Sequence, residues 1–299
     1  MKTYQRLSGR RGCIPAELVA SLRALGHTDH DALAREHLRR RDLALGRLNA
    51  RFDIEWSGCH LLDVGAGQLC VWSLVFSEFN DVNAIDLDVI PHGPSLTSYW
   101  RMWRDNGPYR VAKTLVRKII GVDRRQWASI ERVSKGRLHW PVTYLMNAES
   151  LEFDNQSFDG VFSFSAFEHI AKPAQAMREI ARVLKPGGAA YIVLELFSSL
   201  RGSHDPRMWT NLRALPLWAH LRPSCDGLWQ PNVYLNQVRL GDFRAMAEDA
   251  FDEVCLFCDE NDTRRYVGEL SPEEREELAG FSDEELCTQD LVILGRIRP

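Results

Sequence analysis

The sequence has no apolar run approaching the roughly 20 residues that a membrane-spanning helix needs. Its first residues, MKTYQRLSGRRGCIPAELVASLRALG, are basic but hold no continuous apolar core, so no secretory signal is expected. Positive charge is not in excess either: 37 Lys and Arg stand against 41 Asp and Glu, a net charge of −4. That balance argues against a chain that coats nucleic acid with a basic surface, and no nucleic-acid partner is expected. A disulfide framework is also missing. The seven cysteines are odd in number and scattered, which suits a reducing, cytoplasmic setting. Cys255 and Cys258 form one CxxC with no second pair and no nearby histidines, so they read as small apolar residues in a strand and no metal site is expected.

What is present is an ordinary globular composition, 45% hydrophobic and 26% charged over 299 residues. Residues 1–57 read as a helical segment. Leu18, Leu22 and Leu25 are followed by an arginine-rich stretch whose leucines recur at helical spacing. From residue 58 onward short apolar strands alternate with amphipathic helices: HLLDV (60–64), a helix over 69–79, VNAIDL (82–87), VTYLM (142–146), GVFSF (160–164) and AAYIVLEL (189–196). PAQAMREIARVLKPGG supplies a helix with Pro173 near its start and Pro186 and two glycines as its stop. EVCLFC (253–258) and DLVILGRI (290–297) read as a closing strand pair, and SPEEREELAGFSDEEL as a solvated helix pair capped by Ser271. The alternation predicts an α/β fold, a mostly parallel sheet with helices on both faces.

Two stretches interrupt the pattern, at 91–141 and at 197–240. The first carries eleven Lys and Arg against three acids, a charge of +8 that leaves −12 on the rest of the chain. It also holds Trp100, Trp103, Trp127 and Trp140. Within it, over 108–122, Val111, Ala112, Leu115, Val116, Ile119 and Ile120 can share one helical face and Arg110, Lys113, Arg117 and Lys118 the other. Three readings follow: a lid packed on the domain, a lid that attracts an anionic acceptor, or peripheral contact with an anionic membrane surface.

The chemistry gathers at LLDVGAGQLC. Glycines after a first strand let the backbone turn and approach a ligand closely. Nineteen residues after Gly67 stands Asp86, placed to accept from both hydroxyls of a ribose. These two features admit a nicotinamide dinucleotide and an adenosyl cofactor alike. The third glycine of a dinucleotide fingerprint is missing, since Cys70 stands there. Asp63, just before the first glycine, suits an ammonium or sulfonium better than a pyrophosphate. S-adenosylmethionine combines an adenosine, a ribose and both cations without a phosphate.

LLDVGAGQL, AIDLD, NAESLEFDNQSFDGVFSFSAFEHI and AMREIARVLKPGGAAYIVLEL, in this order, resemble the successive motifs of class I S-adenosylmethionine-dependent methyltransferases, over roughly residues 58–196 without the insert. The resemblance implies a seven-stranded Rossmann-like sheet with the last strand antiparallel. It implies that Asp63, Gly65, Ala66 and Gly67 line the methionine portion of the cofactor and that Asp86 and Leu87 lie at the ribose. Asn147 and Ala148 would meet the adenine, and Phe164 and Ser165 would face the methyl-donor pocket. The sequence departs from the family at Leu69, where a last glycine is common, at Asn147, where an acid is usual, and in the insert. The implied reaction is methyl transfer to a small-molecule or glycan acceptor, an anionic one if the basic lid selects it. A hydroxyl is favoured because several histidines fall on the acceptor side, and His169 and His204 are the candidate bases. A nicotinamide-dependent oxidoreductase and a non-catalytic adenosyl-binding module at a membrane are the alternatives.

Overall fold

The computed structural model describes residues 28–88, 96–209 and 211–299. The helix expected around Leu18, Leu22 and Leu25 lies outside them.

The first described element is α1 (His30–Phe52), capped by the Asp29 carboxylate, which accepts from the amides of Asp31 and Ala32. Then follow β1 (His60–Val64), α2 (Val71–Phe76) and β2 (Asp81–Asp86). Three helices fill the long crossover: α3 (Leu96–Asn106), α4 (Pro108–Ile119) and α5 (Val122–Val133). After them come β3 (Val142–Leu145), β4 (Phe158–Phe164), α6 (Pro173–Val183) and β5 (Leu184–Glu195). The C-terminal part adds α7 (Leu240–Ala250), β6 (Glu253–Asp259), α8 (Arg264–Val267), α9 (Pro272–Glu277), α10 (Asp283–Cys287) and β7 (Asp290–Arg296).

The seven strands form one sheet in the order β3-β2-β1-β4-β5-β7-β6. All neighbours pair in parallel except β7, which runs antiparallel to both β5 and β6. This is the seven-stranded Rossmann-like sheet that the motifs imply. Strand order reverses at β1, whose sequence neighbour β2 lies on one side and β4 on the other. An open parallel sheet offers its crevice at such a switch point, beyond the strands' carboxyl ends.

Both faces of the sheet are buried, as the near-continuous apolar strands require. Alternate residues of one strand face opposite layers. Val161, Ile192 and Ile293 meet α6 and α7 through Ala176, Met177, Ile180, Phe243 and Ala247. Phe162, Tyr191 and Val292 meet α1, α2 and α5 through Ala44, Leu48, Phe52, Phe76 and Ile130. Trp56 presses its ring on Gly160, where a Cβ would come within 2.4 Å of the indole, so β4 needs a glycine there. The second insert builds its own small core, with fully buried Trp218 donating its indole N–H to the Ser198 carbonyl (3.1 Å) among Leu200, Met208, Leu278 and Leu286.

Three local expectations shift. The helix expected over 69–79 starts at Val71, because Cys70 adopts a left-handed backbone (φ 46°). The helix after Pro173 stops at Val183, and Leu184–Glu195 is extended. Lys185 precedes a proline, which disfavours the helical region. In the insert, α4 turns Thr114 and Arg117 inward, and Arg117 pairs with the buried Asp123 of α5 (2.5 Å). Leu115, Ile119 and Ile120 remain exposed, Ile119 by 83%. Thr114 and Arg117 are thus covered where the apolar residues are not. Ser271 caps α9 as expected, and with Glu274 it closes a capping box.

Candidate active site

The cleft lies at the switch point. Past Val64 the chain folds over the end of β2, with the Gly65 and Ala66 amides donating to the Ile85 carbonyl (2.9 and 3.1 Å). Gly65 and Gly67 have positive φ (82° and 65°), and a Cβ on Gly65 would meet that of Ala166 at 2.4 Å. Glycine is therefore needed here both for the turn and for the approach. Asp86 fastens the loop by accepting from the Gly67 amide (2.8 Å) and the Asp88 amide (2.7 Å). Asp63 is buried beneath it and accepts from the Ser73 hydroxyl (2.5 Å). Burial, and then the neighbouring Asp86 charge, push the Asp63 carboxyl up to about 7.

The third glycine position proves to need its conformation rather than its residue. Cys70 is fully buried and left-handed, as a glycine would be. The Leu69 carbonyl beside it accepts from the Trp127 indole N–H (3.0 Å), so α5 of the insert pins the loop. Arg41 of α1 pairs with Glu78, whose carboxylate also receives the Lys135 amide (2.6 Å), which ties the far end of the insert to the domain.

The cleft holds about 420 Å³, within the range of small-molecule sites. Gly65, Ala66, Gly67, Gln68 and Leu69 form its floor, and Thr114 and Arg117 of the insert form its roof. Trp72 stacks on Phe164 (centroids 3.8 Å apart), His37 meets Trp72 edge-on (5.0 Å), and Ser165 completes this wall. Gly65, Ala66, Gly67, Phe164 and Ser165 thus come together as expected. Asp63 and Asp86 support the cleft from below and behind rather than lining it. Leu87 is half-exposed, and Asn147 is an exposed turn residue whose side chain accepts from the Glu149 amide (3.0 Å). Ala148 packs into the core. None of these three lines the cleft.

A second group stands at the ends of β4 and β5. Glu168, His169 and His204 bring one ligand-type atom each within 4.8 Å of one another. The rings of His169 and His204 meet at right angles, centroids 5.0 Å apart. His204 Nε2 lies 3.4 Å from Glu195 Oε2. Burial raises the Glu168 carboxyl to about 8 and Glu195 to about 7, and it lowers His169 and takes His204 down to about 4. Both imidazoles are accordingly neutral near pH 7. The sequence reading found the two histidines but missed both glutamates. An acid ending a parallel strand, as Glu195 does, was the available signal. Trp127, Trp72 and His37 carried none, since their roles depend on packing across the chain.

Residues 107–192 match the family model described as a methyltransferase domain, a span that runs from the insert into β5. Among curated proteins, the bifunctional biotin biosynthesis protein BioHC of Cellvibrio japonicus is 50% identical over 46 residues, 15% of this chain and 9% of that protein. The uncharacterized protein YafE of Escherichia coli K12 is 37% identical over 82 residues, 27% of this chain and 39% of that one. The chain therefore spans well under half the length of these relatives. Among solved structures, the YcgJ protein of Bacillus subtilis is 18% identical, covering 86% of this chain and 99% of its own, with a TM-score of 0.42. A Haemonchus contortus phosphoethanolamine N-methyltransferase 2, solved with S-adenosyl-L-methionine, is 17% identical over 86% of this chain and 52% of its own, with a TM-score of 0.43.

The sheet order is Rossmann-like, and the match of residues 107–192 to a methyltransferase domain model points to the same class of fold. The methyl donor of this class is S-adenosylmethionine. Its cationic nucleoside fits the glycine cradle, the two supporting acids and the aromatic wall described above. No described helix is long and apolar enough to cross a membrane.

Proposed function

We propose that the protein methylates a hydroxyl of a small-molecule or glycan acceptor, with S-adenosylmethionine held in the cleft between β1 and β4. The observation that carries this reading is the cradle of Gly65 to Gly67 above two acids, which favours a cation over a pyrophosphate. Bound there, the sulfonium would supply an electrophilic methyl carbon, so little covalent chemistry falls to the protein. The loop and Ser165 orient the donor, while Trp72, Phe164 and the inward edge of α4 keep water out. Alignment of donor and acceptor then supplies much of the acceleration. His169 donates from Nδ1 to the Tyr234 carbonyl (2.8 Å), which leaves the lone pair on its Nε2. His169 and His204 take the hydroxyl proton as the oxygen gains the methyl group. Biosynthesis of a secondary metabolite or a glycan is the setting we favour, with a cytoplasmic location.

The test is transfer of labelled methyl from S-adenosylmethionine to a panel of hydroxylated, carboxylated and phosphorylated acceptors. Ether formation is expected. Uptake of NADH in place of the sulfonium compound would overturn the reading.

Peripheral membrane contact is a second proposal, favoured by one observation. Leu96, Trp100 and Trp103 of α3 and Leu115 and Ile119 of α4 are exposed on a segment carrying +8. Wild-type protein should sediment with anionic vesicles and the Trp100→Asp/Ile119→Asp variant should not. Equal sedimentation would remove this role.

A further inference from the structure

Glu168 is 3% exposed; the backbone amides of Glu168 and Glu195 approach its carboxyl, but neither oxygen accepts a hydrogen bond of normal geometry. A buried carboxyl left this way costs free energy unless something else satisfies it. Its surroundings hold no compensating Lys or Arg within ion-pair distance among the described residues. They hold the Nε2 atoms of His169, 3.9 Å from Oε1, and of His204, also buried without a hydrogen-bond partner.

The turn that carries Glu168 and His169 is braced. The Asn236 side-chain amide donates to the carbonyls of Phe167 (2.7 Å) and Ile170 (2.9 Å), and its backbone N–H donates to that of Glu168 (3.0 Å). The Tyr234 carbonyl fixes the His169 tautomer, the support that metal-bound histidines usually receive. His204 is held with a left-handed backbone (φ 48°), a conformation that the surrounding structure must hold in place.

From this geometry we infer that Glu168, His169 and His204 form a binding site for a divalent first-row transition cation. Two imidazoles and one carboxylate suit Zn²⁺, Fe²⁺ or Ni²⁺ better than Mg²⁺, which prefers oxygen ligands and retains its waters. Bonds of about 2.1 Å in tetrahedral geometry place donors about 3.4 Å apart, so the cluster need close by little more than 1 Å. His169 and His204 keep part of their side chains open to solvent (19% and 13%), which gives a path of entry.

For the mechanism, this inference rests on the hydroxyl acceptor proposed above and refines the two histidines from proton acceptors to ligands. A cation held there would make the proton of a bound hydroxyl more acidic. That proton would pass to the Glu195 carboxylate as the oxygen–carbon bond forms and the departing sulfur takes the electron pair of its broken bond.

Full-length protein treated with EDTA and then titrated with CoCl₂ tests the site. Visible d–d absorption should appear and saturate at one equivalent per chain. Glu168→Gln and His204→Gln should each weaken uptake at least about tenfold. Calorimetry with S-adenosylhomocysteine, run on each variant, should give near wild-type affinity and thereby show a folded chain. A wild-type protein that takes up no stoichiometric Co²⁺, or variants that take it up unchanged, would overturn the site. Stoichiometric Co²⁺ uptake without S-adenosylhomocysteine binding would keep the site and reject the methyl-transfer reading.

Discussion

Two pairs of acids stand at the head of the same sheet, Asp63 and Glu168 buried, Asp86 and Glu195 half-buried, and they are treated differently. Asp63 and Asp86, on the β1–β2 side, are bonded within the protein: one receives the Ser73 hydroxyl, the other the Gly67 and Asp88 amides. Glu168 and Glu195, on the β4–β5 side, look towards two neutral histidines, and the Glu168 oxygens have no hydrogen bond of normal geometry. The first pair spends its bonding capacity on shape, so the cradle is formed before the ligand arrives. In the second pair Glu195 accepts from the Gln289 side-chain amide while the Glu168 oxygens keep bonding capacity in reserve, and burial raises both carboxyls. On the function proposed above, cofactor recognition falls to the β1–β2 side and acceptor chemistry to the β4–β5 side, where Glu168 still lacks a hydrogen bond of normal geometry.

The comparison can be broken most severely at Gly65. A valine there meets Ala166 and must adopt a positive φ. We expect cofactor affinity to fall by 3 kcal/mol or more, about 150-fold, in titration calorimetry.

A stability contrast sharpens it. Glu168→Leu removes an unsatisfied buried carboxyl and should raise unfolding free energy in urea by about 1–2 kcal/mol, while Asp63→Leu strands the Ser73 hydroxyl and should lower it by about the same. Changes of equal sign would contradict the distinction.

The effect of pH is smaller. With Asp63 raised to about 7, the folded chain holds a proton that the unfolded chain releases near 3.8. This residue therefore lowers the stability of the free protein as pH rises from about 4 to about 7. A cation in the cleft favours the ionised form, so affinity for S-adenosylmethionine should fall by up to about tenfold per unit below pH 7 and level off above it. Binding near neutral pH should also release protons, seen as a dependence of the measured heat on the buffer.

The strand–helix alternation was legible because it rests on local patterns: apolar runs, Pro173 opening a helix, and glycines closing β1. The core of the cleft, Gly65 to Gly67 with Phe164 and Ser165, followed from the same motifs. What was not legible depends on distant packing. Nothing in the sequence says that Cys70 tolerates a left-handed backbone, or that Trp127, 58 residues away, reaches the Leu69 carbonyl. The pattern of α4 shows which face is apolar but not which is presented to the core, and Thr114 and Arg117 face inward. Glu168 escaped notice because its burial without a hydrogen bond is a property of three dimensions.

The central claim, that the head of this sheet is shaped for a cationic nucleoside without a phosphate, is tested most directly by calorimetry of the wild-type protein against two ligands. The account predicts saturable one-to-one heat with S-adenosylmethionine and none with NADH. Saturable heat with NADH and none with the sulfonium compound would contradict it.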